Sequence, residues 1–246
     1  MDSGYYALST GLIARTQALD TIANNLANSS TAGYLGQLNV FSALLSASGE
    51  AADSPLNRAI NDYGILGGTT LDLSDGVLQK TGNDLDLAIQ GPGFFQIKTA
   101  RGLVYTRNGS FQVNDSGQLI NAQGAAVMGD TGPITLPPGP VVVSADGTIS
   151  SNGAVAAKLN VMEFPAGTAM TSVGGVYYTP PANIVATPAT GSKVRQGALE
   201  GSNVNPISAT VELIEAQRSD EMMQRALFMF NSEMDKTATQ DLPKVG

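Results

Sequence analysis

The chain of 246 residues contains no cysteine, no histidine and no tryptophan. With them go disulfides, thiolate and imidazole metal sites, cysteine nucleophiles and every Ser-His-Asp arrangement. Charge is also scarce, at 14% of residues, and unbalanced, since 13 basic and 21 acidic side chains leave a net charge of −8. No basic run offsets this locally, which argues against a phosphate-neutralising surface and so against nucleic acid as a partner. No stretch approaches the roughly 20 consecutive apolar residues that span a bilayer. The opening Met1-Asp2-Ser3-Gly4 has no basic segment before its first apolar residues, so no cleaved signal peptide is legible.

What is present is a hydrophobic fraction of 42%, enough for a core, together with 28 glycines and 12 prolines. That balance predicts a chain rich in short strands and turns. Helical periodicity is confined to the two ends. Residues 4–29 read as a helix preceded by Asp2 and Ser3 as candidate N-caps, and Gly33 is a plausible stop. At 3-4-3-4 spacing its seam is Tyr5, Leu8, Leu12, Arg15, Leu19, Ile22 and Leu26, six of seven apolar. A second helix is expected to start at Asn205-Pro206, an N-cap before a proline at the first helical position, and to run to about Lys236. Its seam is Leu213, Ala216, Asp220, Met223, Leu227, Phe230 and Met234.

The middle of the chain, residues 81–200, alternates short apolar segments with turn dipeptides and predicts a β-domain of eight to ten strands. Val104-Tyr105-Thr106 and Phe111-Gln112-Val113 flank Asn108-Gly109, which reads as a type I′ hairpin turn. Residues 35–80, Ala/Ser/Gly-rich from Ala43 to Ala52, read as an extended connector. The expected fold is therefore α+β, with the terminal helices pairing as an antiparallel coiled coil and a mainly β domain inserted between them. The corresponding segments are 1–34, 35–80, 81–200 and 201–246.

Nothing in this pattern demands catalysis. Gly91-Pro92-Gly93 lacks the third glycine of a dinucleotide loop, and the segment from Gly76 to Lys80-Thr81 lacks the glycine that precedes the lysine of a phosphate-binding loop. Asp84 and Asp86, at i and i+2, would share one face of a strand, where one carboxylate can act as acid and the other as base, but a solvated edge charged against self-pairing is the favoured reading. No cofactor and no small-molecule substrate are expected.

The helices carry more apolar surface than pairing needs. Seven of the nine residues from Met222 to Phe230 are apolar, which implies burial on several sides, in the protein's own core or between copies. Asn24, Asn25 and Asn28 are costly in a helix, and either local capping or contact with another subunit accounts for them.

Several motifs resemble those of the bacterial flagellar basal-body rod and hook proteins. Ala23-Asn24-Asn25-Leu26-Ala27-Asn28 with Thr31-Ala32-Gly33-Tyr34 is similar to that family's N-terminal signature. The run from Thr81 to Gly91, Gly93-Phe94-Phe95, and the segment Tyr105-Thr106-Arg107-Asn108-Gly109-Ser110-Phe111 resemble the start of its β-domain. Ser202-Asn203-Val204-Asn205 and Glu212 to Glu221, which includes Arg218, resemble its C-terminal signature.

The resemblance implies a non-catalytic structural subunit of the axial rod in the periplasm. Its partners would be other copies of itself, homologous rod proteins and the flagellar type III export apparatus, which carries subunits out without a cleaved signal. The implied assembly residues are Leu12, Arg15, Leu19, Ile22, Asn24, Asn25, Leu26, Asn28, Leu213, Arg218, Asp220, Met223, Leu227, Phe230 and Met234. The implied structural motif of the β-domain is Gly91, Gly93, Phe94, Phe95, Tyr105, Arg107, Asn108, Gly109 and Phe111. The Met1-Asp2 opening and the tail ending Asp241 to Gly246 favour a proximal over a distal rod position. Arg15 and Asp220, opposite charges on the two seams, are candidates for a register-setting ion pair. The competing classes are a periplasmic carboxylate-dependent hydrolase using Asp84 and Asp86, and a secreted adhesin.

Overall fold

The computed structural model describes residues 2–42 and 65–240. The chain divides into two units. One comprises Met1–Leu26, Leu38–Thr69 and Pro206–Gly246, the other Ala27–Gln37 and Thr70–Asn205.

The first unit holds helix α1, Asp2–Ala27, and helix α2, Pro206–Gln240. At 35 residues, α2 is about 52 Å long at 1.5 Å per residue. Its start follows the sequence logic, since Pro206 occupies the first helical position, where its missing N–H costs nothing. Strands β1, Gln37–Ser42, and β2, Ile65–Leu71, pair with each other. Part of the segment expected to be an extended connector is thus a strand pair, and residues 43–64 of it lie outside the described residues.

The expected fold class is corrected here. The chain is predominantly antiparallel β, with nineteen strands against two helices among the described residues, and no coiled coil organises it. The side chains explain why. Among the described side chains of α1 the fully buried residues are Gly11, Ala14, Ala18 and Thr21, small groups that supply no knobs. The apolar seam one position away, Leu12, Leu19, Ile22 and Leu26, is only half-buried. In α2 only Ala209 and Met223 are fully buried among the described side chains. Arg15 donates to Ser219 Oγ, Asp220 Oδ2 accepts from Gln224, and no ion pair joins Arg15 to Asp220. The register offered by the two opposite charges is displaced by one residue.

The second unit contains the principal sheet, in the order β15-β16-β6-β5-β9-β8-β7. These strands are β5 (Phe94–Thr99), β6 (Gly102–Thr106), β7 (Phe111–Val113), β8 (Leu119–Asn121), β9 (Ala126–Gly129), β15 (Thr171–Gly174) and β16 (Tyr177–Thr179). Strand β10 (Gly132–Pro133) pairs with β9, and β14 (Val161–Glu163) joins β5 to β17 (Thr187–Pro188). A three-stranded sheet follows the order β11 (Val141–Val143), β12 (Thr148–Ser151) and β13 (Ala154–Lys158). Two further pairs are β18 (Lys193–Gln196) with β4 (Leu87–Gln90), and β19 (Ala198–Glu200) with β3 (Leu78–Lys80).

Alternation along β5 splits the core. Phe95 and Ile97 join Leu87, Ile89, Phe111, Leu119 and Val127 in one apolar cluster. Phe94 faces the other way, into a second cluster with Leu35, Leu71, Tyr105, Met162, Met170 and Tyr178. Phe95 and Phe111 meet edge to face at 5.1 Å.

The expected Asn108-Gly109 hairpin does not form. Neither residue has a positive φ, β6 pairs with β5 and β16, and β7 pairs with β8. An Asn-Gly turn with both residues at positive φ is found instead at Asn152-Gly153, which joins β12 to β13. Gly109 is needed for a different reason: a Cβ there would collide with Leu87 O.

Candidate functional site

Three stretches of chain meet in the β-unit: residues 31–36 beyond the end of α1, residues 71–77, and β19 with the four residues after it. The first is held through its backbone. Gly33 N–H donates to Glu200 O at 2.8 Å and Leu35 N–H to Tyr178 Oη at 2.8 Å. Gly33 has φ +68°, and a Cβ on it would run into the backbone of Arg107 and Asn108. The turn after α1 therefore packs main chain against main chain, which glycine alone permits.

Asn203 ties the three stretches together with one amide. Its Oδ1 accepts from Gly36 N–H at 2.7 Å, while its Nδ2 donates to Asp72 O at 2.9 Å and Ser74 O at 3.2 Å. Asp72 N–H completes the loop to Gly36 O at 2.8 Å.

The charged centre of this junction is Arg107, 1% exposed. Its Nη1 donates to Glu200 Oε2 at 3.3 Å and to Asp75 Oδ1 at 3.4 Å, and the guanidinium lies 4.9 Å from the centroid of the Phe94 ring. Glu200 is equally buried and also accepts from Gly76 N–H at 3.0 Å. Burial pushes the Glu200 carboxyl above its usual range, against the pull of Arg107. Burial likewise raises the Tyr178 hydroxyl above the tyrosine range, so it remains a neutral hydrogen-bonding group.

Of the β-domain residues singled out from sequence, Arg107, Asn108 and Phe94 converge here, Tyr105 lies in the same apolar cluster as Phe94, and Gly109 lies instead against Leu87 O. Phe95 and Phe111 belong to the other cluster. Gly91 has φ +110°, and Gly93 donates to Ser192 Oγ and has Val161 Cγ1 2.6 Å from where a Cβ would stand. Sequence reasoning missed Glu200, Asp75 and Tyr178. The available signal was Arg107 itself, a cation in an apolar strand run that required a buried counter-charge.

The proposed assembly residues lie on the two helices. Leu12, Arg15, Leu19, Ile22, Asn25, Leu26 and Asn28 are half-buried and Asn24 is exposed. Leu213, Asp220 and Leu227 are half-buried, Arg218 is exposed and Met223 is buried; the side chains of Phe230 and Met234 lie outside the described residues. Asn24 Nδ2 donates to Asp20 O, and Asn28 Oδ1 accepts from Thr31, so both amides serve the helix end locally. The carboxylate pair fails its geometric requirement. Asp84 is exposed in a turn, whereas Asp86 is buried in an isolated bridge to Ser110, so they share no strand face.

The ends and the middle of the chain match three family descriptions in order. Residues 6–34 match "Flagella basal body rod protein", 88–157 "Flagellar hook protein FlgE/F/G D1 domain" and 195–240 "Flagellar basal body rod FlgEFG protein C-terminal". The flagellar basal-body rod protein FlgF of Caulobacter vibrioides is 32% identical over the full length of both chains. The chain belongs to the flagellar basal-body rod protein family. FlgF of Mesorhizobium japonicum is 34% identical over 89% of each chain. FlgG of Buchnera aphidicola subsp. Schizaphis graminum is 31% identical over 96% of this chain and 95% of its own. The protein is thus a FlgF-like structural subunit of the basal body, not an enzyme, and it assembles with other rod proteins. The junction around Arg107 holds the segments that follow α1 and precede α2 onto the β-unit.

Proposed function

We propose that this subunit occupies the proximal rod, in the periplasm, and reaches it through the flagellar export apparatus without a cleaved signal. The observation that carries its role in assembly is the exposed apolar surface of both helices. Ile13 of α1 and Ile207, Val211, Ile214, Met222, Phe228 and Met229 of α2 are all exposed. Covering a Val, Leu, Ile, Phe or Met side chain is worth about 1.5–3 kcal/mol, so this many exposed on the helices favour burial against neighbouring subunits. The half-buried Leu12, Leu19, Ile22, Leu213 and Leu227 border the same surfaces and complete the contact as subunits add.

The resemblance to proteins named FlgF over the whole chain supports the proximal position, and FlgG supplies the alternative, a distal subunit. Electron microscopy of basal bodies from a strain lacking the gene, beside a complemented control, tests the reading. Rods truncated near the inner membrane, without hook or filament, are the expected result. Loss of the outer rod segment alone would indicate the distal position, and intact rods with filaments would refute a rod role.

A further inference from the structure

Six strands end the two larger sheets of the β-unit, and an unpaired strand edge is a template for pairing with another chain. Four of the six are closed. Strands β10 and β17 carry Pro133 and Pro188, which cannot extend a ladder. Phe111 N–H of β7 donates to Leu85 O. The outer edge of β11 is capped by the Gln196 side chain, which donates to Val141 O at 2.8 Å and accepts from Val143 N–H at 3.1 Å.

Strand β15 has no such cap among the described residues, and β13 has one only at its last residue, where Asp130 N–H donates to Lys158 O at 3.1 Å; each strand also has one register irregularity against its inner neighbour. Each offers four uncharged residues, Ala154 to Ala157 and Thr171 to Gly174. Ala154, Val155 and Ala156 are exposed, as are Thr171, Val173 and Gly174. The single charge of β13, Lys158, stands at its end, 3.8 Å from Asp146.

The face beside β13 gives an independent indication. Val142, Ser150 and Val155 are cross-strand neighbours on one side of the three-stranded sheet, and Val142 and Val155 are 60% and 72% exposed. A strand added to β13 would continue this apolar row.

The chemistry of the chain identifies the occupant. Copies carrying a net charge of −8 repel one another except where acidic groups are absent, and between Thr131 and Ala157 the only charge is Asp146, already beside Lys158. Two dissimilar open edges suit a head-to-tail contact that repeats along an open assembly, whereas β13 against β13 would close a dimer and stop. We infer that β13 of one copy pairs with β15 of the next, so that a continuous strand ladder joins the β-units of neighbouring copies. This rests on the protein's membership of an assembling rod family.

The absence of cysteine makes a direct test available. Cells whose only copy carries both Val155→Cys and Val173→Cys are oxidised, and their basal bodies are run on non-reducing gels. Paired strands bring Cα atoms to roughly 4.5–5.5 Å, within disulfide reach. The expected result is a ladder of cross-linked oligomers that each single variant, and Val155→Cys combined with Val185→Cys, fails to give. Absence of the ladder, or dimers from Val155→Cys alone at equal yield, overturns the pairing.

Val155→Asp supplies a second readout, since an exposed edge residue tolerates the change in the monomer. Motility should fall while the circular dichroism of the purified chain stays unchanged. Full motility in Val155→Asp alongside a non-motile deletion strain overturns the strand pairing alone. A motile deletion strain overturns the rod role itself.

Discussion

Replacing Arg107 with methionine probes the junction most directly. Methionine retains much of the volume of the side chain and its contact with Phe94, and it removes the cation that faces the buried carboxylate of Glu200. Breaking a buried pair by deleting one partner costs about 3–5 kcal/mol, because the survivor is left charged without compensation. At about 2–4 °C per kcal/mol for a chain of this size, the melting temperature should fall by roughly 6–20 °C at pH 7.5.

The pH dependence of that loss identifies its cause. Glu200 already has a carboxyl pKa above the ordinary value in the folded state, and without Arg107 it rises further. A carboxyl whose folded pKa exceeds its unfolded pKa binds more protons in the folded state, so stability falls as pH rises through the window between the two values. The penalty of Arg107→Met should therefore be greatest at neutral pH and should shrink towards pH 4.5, where Glu200 takes up a proton. The double variant Arg107→Met with Glu200→Gln should lie closer to wild type than Arg107→Met alone at pH 7.5. Calorimetry of the three variants and the parent at both pH values is the assay. A penalty equal at the two pH values, or a double variant no better than Arg107→Met, would refute the assignment of a buried, charge-compensated pair.

Other substitutions separate packing from conformation. Gly109→Ala should cost at least about 3 kcal/mol, since the added methyl meets backbone that cannot move aside, while Gly153→Ala, at φ +81° with open space around it, should cost about 1 kcal/mol; urea unfolding distinguishes them. Tyr178→Phe should cost about 1–3 kcal/mol by stranding the Leu35 N–H, with faster hydrogen exchange at that amide. Asn203→Ala removes the hydrogen bonds to Gly36, Asp72 and Ser74 together and should lower stability by about 2–3 kcal/mol, whereas Asn203→Asp, which keeps only the acceptor, should fall between it and wild type in chemical denaturation.

The terminal helices were legible because they depend on local rules: a 3.6-residue period, an Asn-Pro start and the absence of internal breakers. The coiled coil was not, because which face of a helix is buried depends on what lies against it, and the buried positions of α1 proved to be small residues one step from the apolar seam. The hairpin expectation failed for a similar reason. Asn-Gly favours positive φ, yet Gly109 is a glycine because Leu87 O approaches it, and an Asn-Gly turn with that conformation fell at Asn152-Gly153. Half of the junction was visible in Arg107 and its neighbours. The other half, Glu200, lies 93 residues away, and no local pattern connects the two.

The glycine contacts in the β-unit have one further effect. Where side chains separate two segments, a rotamer change absorbs a small displacement before the backbone feels it. At Gly33 against Arg107 and Asn108, and at Gly109 against Leu87, no such cushion exists, and main chain bears directly on main chain. Displacement of one segment must be followed by the other through stiff peptide geometry. In a structural rod subunit, this is a joint with little give.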